Sequence, residues 1–192
     1  KKLLHITLSL LLCASFLLTG CNSSNKTPND KASPSPSNSS QNPIDTTDNL
    51  RQLAEQRGLL VGAAIEPNYL DEPQYANALK ENFNFITPEN RMKWGFIHPK
   101  KDVYDFKGAD KIVDFALANN MKVRGHTLVW HIENPSWLTD GNFSKEELLK
   151  ILEDHIKTVV GHYKGKVYAW DVVNEIIDVY TLRNTLWLEK IG

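Results

Sequence analysis

The 192-residue chain carries 22 Lys and Arg against 23 Asp and Glu, and 41% of its side chains are hydrophobic. This is the balance of a soluble globular protein with room for one or two domains. It offers no basic surplus to draw nucleic acid or an acidic membrane surface. Lys1 and Lys2 are the only Lys, Arg, Asp or Glu residues before Cys21, so the rest of the chain is more acidic than the whole.

Lys1 and Lys2 precede the apolar run LLHITLSLLLCASFLL, and TGC follows, the order of charged, apolar and small-residue regions in a secretory signal. His5 interrupts a run barely as long as the ~18 to 20 apolar residues of a spanning helix, which counts against a transmembrane anchor. Leu18-Thr19-Gly20-Cys21 resembles the bacterial lipobox, in which the Cys takes a diacylglycerol thioether and becomes the mature N-terminus. That resemblance implies loss of residues 1–20, lipidation of Cys21, and a lipoprotein held to the cell surface or outer membrane of a bacterium by its lipid anchor. With Cys13 removed and Cys21 occupied, neither a disulfide framework nor a Cys metal site is expected. Residues 21–47 follow as a lipidated Cys and a Ser-, Pro- and Asn-rich linker, with almost no large side chain to bury against its ordering entropy.

From residue 48 the texture alternates. DNLRQLAEQRG has helical spacing after the candidate cap Asp48 and is closed by Gly58. Four runs read as buried strands: LLVGAAI (59–65), FNFITPEN (83–90), KVRGHTLVW (122–130) and VYAWDVVNE (167–175). Between them lie the amphipathic stretches PQYANALKENF and GADKIVDFALANN, and a third that opens on Ser144 with Glu147 three residues on. Strand and helix in alternation is the pattern of parallel βα units, which both a doubly wound sheet and a (β/α)8 barrel satisfy.

The polar residues separate these two. Three of the four runs end in polar or aromatic groups: Glu89 and Asn90, then His126, Trp130 and His131, then Asn174 and Glu175. Barrel enzymes place their sites at that end of the strands. VGAAIEPNYL lacks the glycine spacing of a dinucleotide loop. No His pair has helical i, i+4 spacing and no Cys adjoins His126 or His131, so these His are expected to hydrogen-bond a polar ligand rather than ligate a metal. Carboxylates, amides, His and Trp without a nucleophilic Ser or Cys suit sugar chemistry. Indole faces stack on pyranose C–H faces, polar groups bind the hydroxyls, and a carboxyl group protonates the leaving oxygen. Trp137 and Trp187 are expected to pack, and Asp171 and Asp178 to be solvated or to support other side chains.

The segments ITPENRMKW (86–94), RGHTLVWH (124–131) with PSW (135–137), and WDVVNE (170–175) resemble the endo-1,4-β-xylanases of glycoside hydrolase family 10. Similarity runs from about Leu50 to Gly192. The resemblance implies a (β/α)8 barrel of which 48–192 supplies about the first four units, and no cofactor. It implies xylan or xylo-oligosaccharides as substrate and a retaining mechanism with Glu175 as acid/base. Asn174, His126 and Trp130 would then line the cleavage subsite, and Glu89, Asn90 and Lys93 would bind the next sugar. The nucleophilic Glu of the family would lie in a later strand, beyond this chain, which leaves the chain alone inactive. Two departures are expected to matter: Glu133, where the family usually has Gln, and IIDVYT, short for the connection after the acid/base. A surface lipoprotein that holds xylan without cleaving it, and a truncated gene product, are the alternatives.

Overall fold

The structure, a computed structural model, describes residues 48–192. The signal segment, Cys21 and the linker lie outside the described residues.

Helix α1 (Leu50–Gln56) starts one residue later than Asp48 would have started it. Its cap is Asn49, whose side chain accepts from Gln52 N at 2.9 Å while Asn49 N donates to Gln52 Oε1 at 2.9 Å. A capping box needs an acceptor side chain three residues after the cap. Gln52 supplies it for Asn49, whereas Asp48 would face Arg51, a donor only; Asp48 instead accepts from Gln56 Nε2 at 2.6 Å. Gly58 closes the helix with φ 65, the left-handed conformation that suits glycine.

Four strands follow, β1 (Gly62–Ile65), β2 (Phe85–Pro88), β3 (Lys122–Val129) and β4 (Ala169–Val173), all parallel and in the spatial order β1-β2-β3-β4. Strand β1 is shorter than the apolar run that announced it. The buried Asn84 holds the lead-in to β1: its side chain accepts from Val61 N at 2.8 Å and donates to Leu59 O at 3.0 Å, while its backbone N donates to Val61 O at 3.1 Å.

Between consecutive strands run α2 (Pro73–Asn82), α4 (Lys107–Ala118) and α6 (Lys145–His162), the crossover helices that parallel pairing requires. As the sequence indicates, α6 opens on a capping box, Glu147 N donating to Ser144 Oγ at 3.2 Å and Ser144 N donating to Glu147 Oε2 at 2.8 Å. The core forms where strand and helix faces meet: Ile65, Ile86, Val123 and Leu128 from the sheet against Leu79, Ile112, Val113, Leu148 and Val159 from the helices. Fully burying each such side chain stabilises by about 1.5–3 kcal/mol.

Short elements fill the connections after each strand. A 3-10 turn (Pro67–Asp71) follows β1, α3 (Trp94–Ile97) follows β2, and α5 (Ser136–Thr139) follows β3. After β4, IIDVYT forms a hairpin, β5 (Ile177–Asp178) with β6 (Thr181–Leu182), and α7 (Leu186–Ile191) ends the described chain. Strand β4 departs from the buried-strand expectation. Val172 and Val173 are 54% and 46% exposed, because β4 pairs only with β3 and no further strand covers it among the described residues.

Candidate active site

The C-terminal ends of β2, β3 and β4 converge, and the side chains they carry form one polar basin. Glu89, Lys93, Arg124, His126, Asp171 and Asn174 line an open cavity of about 350 Å³. Period-two alternation puts Arg124 and His126 on one face of β3. The β3–β4 register sets His126 directly beside Asp171. Gly125 between them has no side chain to spare: a Cβ there would meet Trp170 Cε3 at 2.2 Å, so glycine lets the β4 indole lie against β3.

Asp171 is the electrostatic centre of the basin. Its Oδ1 accepts from Arg124 Nε at 2.9 Å, and its Oδ2 lies 2.9 Å from His126 Nδ1. Burial pushes its carboxyl upward, but the hydrogen bonds from Arg124 and then His126 outweigh it and hold the group below the usual carboxylate range. An ionised carboxylate only accepts, so the proton of His126 sits on Nδ1 and Nε2 is left for a ligand. Asp171 in turn raises the Arg124 guanidinium further, chiefly through the same hydrogen bond. The expectation of a supporting role for Asp171 matches this geometry. Asp178 stands 3.7 Å from Arg183.

A second polar chain runs along the rim. Asn90 Nδ2 donates to Glu66 Oε1 at 2.7 Å, and Arg91 Nε donates to Glu66 Oε2 at 3.0 Å. Lys93 Nζ donates to Asn90 Oδ1 at 2.8 Å and lies 4.8 Å from the centroid of the Trp130 ring. Trp130 Nε1 donates to Glu175 Oε2 at 2.9 Å. Thus Asn90, Lys93, Trp130 and Glu175 form a continuous series from β2 to β4. The Trp130 carbonyl accepts from Asn134 Nδ2 at 3.0 Å and from Trp187 Nε1 at 3.3 Å, which fixes the backbone beneath the indole.

Strand pairing extends one step past β4, Asn174 N donating to Val129 O at 2.9 Å. Glu175 then turns into the left-handed region with φ 51, its carbonyl accepting from Arg183 Nε at 3.1 Å. Its carboxylate is half-exposed, with His131 Nδ1 3.9 Å away. Glu175 does not line the polar basin. With Trp130 and Asn174 it lines an adjoining cavity of about 330 Å³ whose other walls are mostly apolar side chains of β4, α6 and α7.

Of the seven residues singled out from the sequence, Glu89, Lys93, His126 and Asn174 line the basin, while Asn90 and Trp130 reach it through Lys93. Glu133 lines neither cavity; its backbone, at φ 58, accepts from Gly95 N at 2.7 Å. Trp137 and Trp187 pack as expected, Trp137 Nε1 donating to His98 O at 3.1 Å. Sequence reasoning missed Glu66 and Arg124. Both had a signal. Glu66 immediately follows the first strand run, much as Glu89 and Glu175 lie at the ends of theirs, and Arg124 shares the period-two face of His126. Among the described residues no group of three or more His, Cys, Asp and Glu is placed to hold a metal ion.

The sequence profile of glycosyl hydrolase family 10 matches residues 49–192. The chain belongs to that family. An endo-1,4-β-xylanase B of Thermotoga neapolitana is 50% identical over 147 residues, spanning 74% of this chain and 42% of the relative. A β-1,4-xylanase of Dictyoglomus thermophilum is 61% identical over 135 residues, 69% of this chain and 37% of the relative. Among solved structures, xylanase 10B of Thermotoga petrophila in complex with xylobiose superposes with a TM-score of 0.74 at 48% identity, over 78% of this chain and 47% of that one. The chain therefore spans less than half the length of these relatives, and its four parallel βα units correspond to part of the family's (β/α)8 barrel.

Proposed function

We propose that this glycosyl hydrolase family 10 chain carries the acid/base and the sugar-binding rim of a retaining endo-1,4-β-xylanase. The observation that carries the reading is the contact of Trp130 Nε1 with Glu175 Oε2 at 2.9 Å, which sets a carboxyl group beside an indole at the edge of a polar basin. Glu175, protonated, donates its proton to the glycosidic oxygen as the bond to the anomeric carbon breaks. In the second step it takes a proton from water, which attacks the glycosyl-enzyme. Trp130 orients the carboxyl and offers its face to the sugar ring. His126 offers Nε2 and Asn174 its amide to the hydroxyls at the cleavage subsite, and Glu89, Asn90 and Lys93 bind the neighbouring sugar.

A retaining mechanism needs a second carboxylate about 5–5.5 Å from the first. We propose that a Glu at the end of a later strand of the family's (β/α)8 barrel supplies it. Cys21 anchors the protein to the bacterial surface by its lipid, with residues 22–47 as tether. Xylan and xylo-oligosaccharides as ligands are supported by the names of the matched relatives and by the xylobiose complex of the Thermotoga petrophila enzyme.

The test uses a catalytic domain completed beyond Gly192. Glu175→Ala should abolish most turnover of xylan yet spare the first step on aryl xylosides with a good leaving group, which departs without a proton. Equal loss on both substrates would remove Glu175 from the acid/base role. Binding of xylo-oligosaccharides with no release of reducing ends by the completed parent would favour the binding-protein reading.

A further inference from the structure

We infer that Tyr69, with Tyr75 beside it, is the platform for a third sugar on the non-reducing side of the cleavage point, a further subsite for a neutral β-1,4-linked xylose unit. The inference rests on the xylanase reading and adds a site beyond the neighbouring sugar assigned to Glu89, Asn90 and Lys93.

The polar row along the rim does not stop at β2. From Glu175 it passes through Trp130 and Lys93 to Asn90, whose Nδ2 donates to Glu66 Oε1 at 2.7 Å. Glu66 follows β1 directly and opens the 3-10 turn Pro67–Asp71. The row therefore crosses the ends of all four strands and finishes on the turn that carries Tyr69. A linear polymer with its scissile bond at Glu175 and its neighbouring sugar at Asn90 and Lys93 runs on toward this turn.

The turn holds an aromatic ring in place. Pro67 is buried at its start, and at its end both carboxylate oxygens of Asp71 accept from Lys111 Nζ of α4 at 2.7 Å. The Tyr69 ring, 52% exposed, packs against the half-buried Tyr75 of α2 with 5.6 Å between centroids and 51° between planes. A single exposed aromatic needs no explanation. One backed by a second ring, at the end of a sugar-binding row, offers a fixed face for pyranose C–H groups at little cost in side-chain entropy. Burial raises the Tyr75 phenol above its usual range, and the charges of Glu89, Tyr69, Glu66 and Glu72 raise it further. The phenol thus stays neutral, with an O–H to donate to a hydroxyl. The same carboxylates repel an acidic sugar, which makes a neutral one the ligand.

The experiment compares an aryl β-xylobioside with an aryl β-xylotrioside of the same good leaving group, on the completed catalytic domain. The bioside fills the two sugar sites already assigned, and only the trioside reaches Tyr69. Tyr69→Ala should lower the ratio of trioside to bioside kcat/KM by ~3- to 10-fold, and Tyr69→Phe should restore most of it. An unchanged ratio in Tyr69→Ala would overturn the inference. So would equal loss on both substrates, the mark of a purely structural role. Calorimetry with xylotriose and xylobiose reads the site without turnover. Tighter binding of xylotriose by the parent, with the margin lost in Tyr69→Ala, would support the subsite even in a domain that cleaves nothing, and would then count against the acid/base reading alone. No margin for xylotriose in the parent would overturn the inference, and turnover of the bioside would in that case leave the acid/base reading standing.

Discussion

Lowering the pH from 7 to 5 should destabilise this domain through two buried imidazoles. His98, in the turn after α3, and His155, on α6, are 4% and 0% exposed, and their Nδ1 atoms lie 3.3 Å apart. His155 stacks on Trp94 at 3.7 Å between ring centroids, and His98 stacks on Tyr104 at 4.0 Å. Within this pair one nitrogen donates and the other accepts, so protonating both would set two donors against each other. His155 is lowered to about 3, chiefly by burial and then by the neighbouring His98, against a raising contribution from the backbone of Leu128. Burial lowers His98 to about 4, partly offset by Asp102.

The sign follows directly. Above the unfolded value of 6.5 both states are neutral and the stability is whole; as pH falls from 6.5 toward about 4 for His98 and about 3 for His155, only the unfolded chain gains protons and stability is lost. Each proton costs about 1.4 kcal/mol per pH unit, so the pair removes roughly 2–3 kcal/mol per unit near pH 5. That is a large part of the 5–15 kcal/mol typical of a domain. Urea unfolding at fixed protein concentration, followed by tryptophan fluorescence, reads it as a midpoint that falls between pH 6.5 and 4.5. In His98→Gln, where one titrating ring is gone and an amide can still meet His155 Nδ1, the slope should be about halved. A midpoint independent of pH in this window, or an undiminished slope in His98→Gln, would refute the reasoning.

Two further changes test the framework. Gly125→Ala forces a Cβ to within 2.2 Å of the Trp170 ring and should cost about 1–3 kcal/mol or more, read as a lower urea midpoint at unchanged m-value; a neutral result would mean that β3 and β4 are not in this register. Cys21→Ala should move the protein from the membrane fraction to the medium, and unchanged detergent partitioning would dispose of the lipid anchor.

What the sequence made legible and what it hid have one physical division. Local chemistry was readable. The Ser144 and Glu147 capping box, the left-handed Gly58 and the amphipathic helices depend on neighbours within a few residues, and each lies where the pattern put it. The polar endings of β2, β3 and β4 were equally plain, because a strand that ends in Asn and Glu rather than in Gly or Pro displays its purpose in its own letters. Long-range side-chain contacts were hidden. No periodicity says that Asn84 clamps Leu59 and Val61, or that Glu66 holds Asn90 and Arg91. Nor could composition tell a covered strand from an uncovered one. VYAWDVVNE reads as a core strand by the same rule that correctly buries Ile86 and Val123, yet Val172 and Val173 are exposed. Hydrophobic patterning records what a strand is built to be buried against, and the structure records what is there. The difference between the two is largest at β4 and the hairpin, and it recurs before β1, where Leu59 and Leu60 of the run LLVGAAI are also exposed.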